Sequence, residues 1–393
     1  MTARRLTTML AGLTVALGAR SVGAVECATL PMPIYATGST AAKPLLAEIG
    51  KFMAGQTPAV TVVYLGAGSC AGVDAILSGT PIMATGLSYW DTSGTEQKCD
   101  VTSASGVSAN IGISDVFATT CFKLPGGVPA SVSDTLGPVQ AMMFVTHRLS
   151  VEKAISAEAA YNVYGFGGQS QVPPWTFEGS IFRRDALSGT QAMIATAIGV
   201  PADQWQGTAT TSSSDMVMRV GMANFANQSI GILSAEVAQD NRQMIKVLAY
   251  QNFGQTCAIF PDSSEMANDK TNVRNGQYPI WGPLHLFVRL NASGFPVNAK
   301  AGEVVGYIAG TRPAPAGLDL VKIEAQRHAV PPCAMRVRRM QEMGPPMSVA
   351  PTGACGCYYE MAATNATTCK KCSTASECPA SAPICSYGYC ETQ

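Results

Sequence analysis

Arg184 and the triplet Ser188-Gly189-Thr190 are the residues whose types and spacing point most directly to chemistry. The triplet stands where a turn hands over to the apolar run 192–198, and such a junction leaves the first N–H groups of a helix without internal partners. Two hydroxyls, a glycine that admits close backbone approach and an arginine four residues upstream make a small anion the natural acceptor, with the helix dipole adding to the attraction. The plainer reading is an N-cap, in which Ser188 or Thr190 satisfies its own helix. Recurrence favours the anion. Thr37-Gly38-Ser39-Thr40, Gly66-Ala67-Gly68-Ser69 and Ile113-Ser114-Asp115 each put hydroxyls at the end of a β-prone run.

The elements that must hold these turns follow in order. Residues 33–36 read as a strand and 43 onward as a helix, with Leu45, Leu46, Ile49, Phe52 and Met53 on one face and Pro44 in its first turn. Residues 60–65 are a second strand and 72–77 a second helix; a polar excursion over 92–108 leads to a third strand at 110–115. Further strands are expected at 139–145, 230–233 and 280–290, helices at 151–161, 215–227, 301–310 and 318–324, a loop over 165–174 and a turn at 235–237. Strands alternating with helices predict an α/β fold with mostly parallel sheets, whose ligands sit beyond the carboxyl ends of the strands, where all four turns fall.

The chain has 393 residues, 47% hydrophobic and 13% charged, with 26 acids against 26 bases. That balance implies no field for a polyanion, so neither nucleic acid nor a membrane surface is an expected partner. Basic residues 1–5, an apolar stretch over 6–19 and Ser21-Val22-Gly23-Ala24 read as a signal peptide cleaved after Ala24. No later run approaches the roughly 18 apolar residues of a membrane span. The expected product is an exported protein of the periplasm, the cell surface or the extracellular space.

Export turns the thirteen cysteines into a disulfide inventory. Cys99 and Cys121 bracket the third strand and are predicted to pair. Cys355, Cys357, Cys369, Cys372, Cys378, Cys385 and Cys390 crowd a tail with almost no aliphatic residues, which cannot fold without cross-links. Seven is odd, so Cys333 or another body cysteine is needed to complete the set. Zinc competes through the Cys369-x-x-Cys372 spacing, but exported thiols oxidise and no histidine lies nearby. Residues 343–353, rich in proline and glycine, read as a linker.

The four turns, in this order and in these contexts, resemble the phosphate-binding proteins of the phosphate ABC importers, members of the type II periplasmic binding-protein superfamily. The likeness spans roughly residues 28–335. It implies two α/β lobes joined by crossing segments near 139–145 and 277–287, with lobe I over 25–144 and 277–342, lobe II over 145–276, a linker at 343–354 and an added cysteine-rich module at 355–393. It further implies that Thr40, the backbone of Ala41, Ser69, Ser188, Gly189 and Thr190 donate to inorganic phosphate or a similar oxyanion, that Asp115 accepts and that Arg184 binds side-on. An ABC transporter permease would be the partner, and no cofactor is implied. The chain departs from that pattern where Ala41 replaces an aromatic residue, where Cys70 replaces a second serine, where Ala186-Leu187 precede the triplet, and in the insertion over 80–108.

The chemistry agrees. Phosphate at neutral pH keeps a proton, so its site needs many donors and one acceptor. Sulfate would leave the Asp115 carboxylate unpaired and facing an anion. Arginine supplies the two-point charge that lysine lacks. Two plainer roles compete: Asp115 as a helix cap and Arg184 in a surface ion pair with Asp185. The three histidines, His147, His285 and His328, stand far apart, and no nucleophile or metal-ligand motif accompanies them, so an enzyme is not expected. The alternative function is a surface or secreted interaction protein that keeps the binding-protein fold and attaches through its cysteine-rich tail.

Overall fold

The computed structural model describes residues 25–392. The signal peptide expected over 1–24 lies outside them. Strand β1 (Val25–Glu26) is followed by β2 (Pro33–Gly38), helix α1 (Lys43–Ala54), β3 (Thr61–Leu65) and α2 (Ser69–Leu77). β2 and β3 run parallel, Pro33 opposite Thr61 and Thr37 opposite Leu65, and are buried on both faces, which suits their unbroken apolar and β-branched composition. α1 buries Leu45, Leu46, Ile49 and Met53, the expected face. Inside the polar excursion, β4 (Leu87–Trp90) and β5 (Glu96–Asp100) form an antiparallel pair, and β6 (Ile111–Ser114) lies parallel to β2.

After the short α3 (Ala118–Cys121) comes β7 (Val132–His147), the strand on which the molecule is hung. The second half of the fold supplies β8 (Ala154–Ser156), α4 (Ala157–Phe166), β9 (Phe182–Arg183), α5 (Gly189–Ile198), β10 (Thr208–Ala209), α6 (Ser213–Gly221), β11 (Gly231–Ser234) and α7 (Ala235–Asp240). β12 (Ile245–Val247), β13 (Ala249–Gln251) and α8 (Thr271–Arg274) lead to β14 (Trp281–Arg289), α9 (Ala299–Ile308) and α10 (Leu320–Gln326). The first part of β7 pairs antiparallel with β14, from Val132 opposite Arg289 to Ala141 opposite Trp281. Its last part pairs with β11 and β12. One sheet of order β1-β5-β4-β3-β2-β6-β14-β7-β11 therefore runs through both lobes.

Each lobe keeps its own core. Leu46, Ile49, Leu284, Leu286, Val304 and Ile308 fill one. Phe144, Tyr164, Met193, Ile198, Trp205 and Ile232 anchor the other. β15 (Val337–Arg338) pairs with β16 (Met347–Ser348), so part of the expected linker is a strand. In the tail, α11 (Gly356–Thr364) precedes β17 (Ile384–Ser386) and β18 (Tyr389–Glu391). Among the described residues no helix is long and apolar enough to cross a membrane.

Several expectations need correction. Cys99 does not pair with Cys121; the bonds are Cys27–Cys99 and Cys70–Cys121. β1 joins the sheet edge parallel to β5, with Val25 opposite Cys99, and carries Cys27 to it, while α3 packs on α2 and brings Cys121 to Cys70. The helix expected over 151–161 starts at Ala157, where Ser156 accepts a hydrogen bond from the Ala159 N–H at 3.2 Å, because the residues before it extend into β8 against β13. The helix over 215–227 ends at Gly221, and the turn at 235–237 is the start of α7. The tail forms Cys357–Cys369, Cys372–Cys385 and Cys378–Cys390, and Cys333 completes the set with Cys355.

Replacing Cys27 and Cys99 together by alanine opens a loop of 72 residues and is expected to lower stability by about 4 kcal/mol, read from urea denaturation. A peptide map under non-reducing conditions should show Cys27–Cys99 and Cys70–Cys121; a Cys99–Cys121 peptide would contradict this strand order.

Candidate functional site

Three of the four turns meet at one carboxylate. β2 ends at Gly38, whose φ of 134° and whose approach to Ile113, 1.9 Å from its carbonyl oxygen to where a β-carbon would stand, exclude any other residue. The next N–H, of Ser39, donates to that Ile113 carbonyl at 2.9 Å. The Ser39 hydroxyl then donates to Asp115 Oδ1, and the Tyr64 hydroxyl donates to the Ser39 carbonyl. From the second turn the Gly68 N–H donates to the Gly38 carbonyl at 2.9 Å, and Ser69 Oγ donates to Asp115 Oδ2 at 3.0 Å while accepting from the Asp115 N–H at 3.1 Å.

The fourth turn arrives from the other lobe. A methyl group at Gly189 would stand 2.2 Å from Ser69 Oγ and 2.8 Å from Asp115 Oδ2, so the start of α5 lies directly on the first lobe's site. The Cys70 N–H donates across the gap to the Leu187 carbonyl at 3.3 Å. Arg184 is only 4% exposed. Its Nη1 donates to Ser213 Oγ at 3.0 Å, and that oxygen is 3.4 Å from Thr40 Oγ1, while its Nε is buried without a partner among the described residues.

Thr40, Ser69, Asp115, Arg184 and Gly189 are thus brought together as the sequence suggests. Ser188 is a helix cap whose Oγ accepts from the Gln191 N–H at 3.4 Å, and Thr190 is buried in the same first turn. The Ala41 N–H, expected to face a ligand, is engaged by Ser39 Oγ at 3.2 Å. The plainer roles for Asp115 and Arg184 do not apply: α3 begins three residues beyond Asp115, and Arg184 is turned inward toward Ser213. Ser39 and Ser213 were missed by sequence reasoning. Ser39 sits beside the chosen Thr40, and Ser213 lies in the run Ser212-Ser213-Ser214 at a helix start, the same signature as the other turns.

Burial pushes the Asp115 carboxyl above the usual carboxylate range, against the pull of the Ser39 and Ser69 hydrogen bonds and of the Arg184 and His285 charges. Burial also lowers Arg184, opposed by Asp185, Asp115 and Asp215. Behind the site His285 Nδ1 lies 2.9 Å from both oxygens of Asp134. In the first turn of α7, Glu236 is buried with neither oxygen paired by geometry among the described residues, and burial, reinforced by the Asp115 charge and opposed by its own backbone, Ser234 and Lys270, raises its carboxyl to about 8. The ensemble offers hydroxyls, helix-start N–H groups and a guanidinium around one acceptor.

About three quarters of this chain has counterparts among solved structures. One, from Clostridium perfringens, is named for a phosphate ABC transporter substrate-binding protein and holds bound phosphate; it matches at a TM-score of 0.53 and 14% identity over 76% of this chain and 99% of its own. An ABC-type phosphate transport receptor from Vibrio cholerae matches at 0.49 and 14% identity, covering 76% of this chain and 100% of its own. No protein-family model and no curated protein sequence matches this chain. The fold is the two-lobed α/β fold of the type II periplasmic binding proteins, with a disulfide-rich C-terminal segment added.

Gly189→Ala is expected to destabilise the protein by about 1–3 kcal/mol by forcing α5 away from Ser69, measured by urea denaturation. Glu236 should set a pH dependence. Its folded pKa is above its unfolded one, so the protein loses stability as pH rises from about 4.5 to about 8, while the unfolded chain ionises first. Glu236→Gln should remove that loss: its melting temperature should exceed that of the wild type at pH 8, and the gap should close toward pH 4.

Proposed function

We propose that this chain is an exported solute-binding protein that takes inorganic phosphate, or an oxyanion like it, between its two lobes and presents the closed form to an ABC transporter permease or a sensor. The observation that carries the reading is the meeting of Asp115, with its two serine hydroxyls from one lobe, and Arg184 with the α5 start from the other. A carboxylate beside an anion is repulsive unless the anion brings a proton to share, and phosphate does. The guanidinium and the helix start supply the compensating positive charge. The bound phosphate in the Clostridium structure of the same fold supports the choice of ligand. Six disulfides support export to an oxidising compartment, the periplasm or beyond. The chain acts by binding and lobe closure, not by catalysis, about crossings at β7 and β14.

Equilibrium binding of radiolabelled phosphate tests this. Wild type should bind one phosphate per chain, with sulfate competing at least a hundredfold less well. Arg184→Ala and Asp115→Asn should each weaken phosphate binding by roughly a hundredfold, about 2–3 kcal/mol for a buried charged hydrogen bond. Asp115→Asn should also narrow the preference over sulfate. Wild type that binds neither anion would overturn the reading and leave the surface-attachment alternative.

A further inference from the structure

A second cavity, of about 750 Å³, lies on the far side of the crossing strands from the oxyanion site. Side chains alternate along a strand. Gly282 faces the site, where an added methyl group would meet Met193 and the Asp115 carbonyl, so its neighbours Trp281 and Pro283 turn the other way and line the cavity. Val139 of β7 and Val321 of α10 add apolar wall, and the tail closes one side with Tyr358 and Tyr387, whose rings stack at 5.5 Å. The volume falls within the ~300–1,000 Å³ of small-molecule sites.

Two buried polar groups in this wall lack partners. Arg339, 5% exposed, lies with its guanidinium 4.2 Å from the Trp281 ring centroid, and one nitrogen, Nη1, donates to the Trp281 carbonyl at 2.8 Å. Its Nε is buried with no acceptor among the described residues. Glu324, 2% exposed, makes no side-chain hydrogen bond among those residues, and burial raises its carboxyl well above the usual range. Of the other charged groups in the wall, Arg312 and Arg338 are exposed, and Asp319 accepts from the Tyr358 hydroxyl. The wall is therefore largely apolar, carries three arginines against Asp319 and Glu324, and holds an unpartnered donor at Arg339 Nε.

We propose that this cavity is a second ligand site, for an apolar monocarboxylate whose carboxylate is held by Arg339 and whose body lies against the proline and aliphatic wall. A carboxylate is acceptor-only and planar, which suits the free edge of a guanidinium. A cation of the same shape would face three arginines. Glu342 is the acid already acting on Arg339, and an alcohol would add no further charge to the guanidinium.

Isothermal titration of the purified protein at pH 7 with decanoate, decanol and decylammonium, each below its aggregation limit, tests this. Decanoate should bind once per chain, at least tenfold tighter than decanol, with no heat from decylammonium. Arg339→Lys, which keeps charge but not the planar edge, should weaken decanoate at least tenfold and leave decanol unchanged. Leu136→Trp, at an exposed position of the rim, should block decanoate, and Tyr387→Ala should weaken both decanoate and decanol, with melting curves reporting that each variant is folded. Equal binding of all three probes, no binding of decanoate by wild type, or full binding by folded Leu136→Trp would each overturn the proposal. Should Arg339→Lys not fold, the probe series and the two wall variants decide alone.

Discussion

One buried carboxylate sets the terms for everything around it. Asp115 is removed from water, which disfavours its charge, and it divides its two oxygens between hydroxyls that belong to different turns. Those turns cannot be displaced without stranding it, and a stranded buried acceptor costs far more than the hydrogen bond is worth in water. Gly38, Gly68 and Gly189 follow from the same constraint. Each lets a backbone come so close that a β-carbon would collide with a neighbouring main chain or with Ser69 itself. The first lobe is thus rigid where it meets the second, and the second lobe brings the guanidinium.

Contact between the lobes at this site is thin by comparison. It includes the Cys70 N–H on the Leu187 carbonyl, the close approach of Gly68 to Leu187, the Thr40 to Ser213 hydroxyl contact and the seat of Gly189 on Ser69. Water can replace the two polar contacts at small net cost. The lobes are held together more firmly at β7 and β14, where an antiparallel ladder runs from Val132–Arg289 to Ala141–Trp281 with one register shift between Pro283 and His285. The lobes are thus tied by a long antiparallel ladder at the rear, while the contacts at the front are few and polar.

The turns were legible because they depend on local chemistry: hydroxyl, glycine and carboxylate types at strand ends are visible in the sequence, and the face of α1 follows from its 3.6-residue period. Arg183, the neighbour of Arg184, instead donates to the Gly207 carbonyl. Cysteine pairing was not legible, because Cys27 reaches Cys99 only once β1 has added to the sheet edge, a register no local pattern encodes. Ser213 escaped for a related reason: its contact with Arg184 spans 29 residues and its contact with Thr40 spans 173, so only the assembled fold brings them together. The start of α4 was misjudged because 154–156 has helical and extended options, and the partner strand β13, far along the chain, decides between them.

The tail shows how a segment with little apolar content can still be structural. Its three internal disulfides replace a core, but it is not a separate bead. Tyr359 and Cys355 are buried in the second lobe's core, Arg274 lies over the Tyr359 ring at 5.1 Å and bonds Glu360 at 3.0 Å, and Cys333–Cys355 ties the whole to the body. α11 packs on α10, and α10 itself serves both cores, with Leu320 in one and Val321 and Ala325 in the other. Just beyond it Arg327 pairs with Glu48 of α1 while His328 Nε2 lies 3.3 Å from Asp240 of α7. α10 is therefore a strap across the rear of both lobes, and the tail stiffens it. Cys333–Cys355 and the packing of α11 on α10 therefore bind the tail into the same element that joins the two cores.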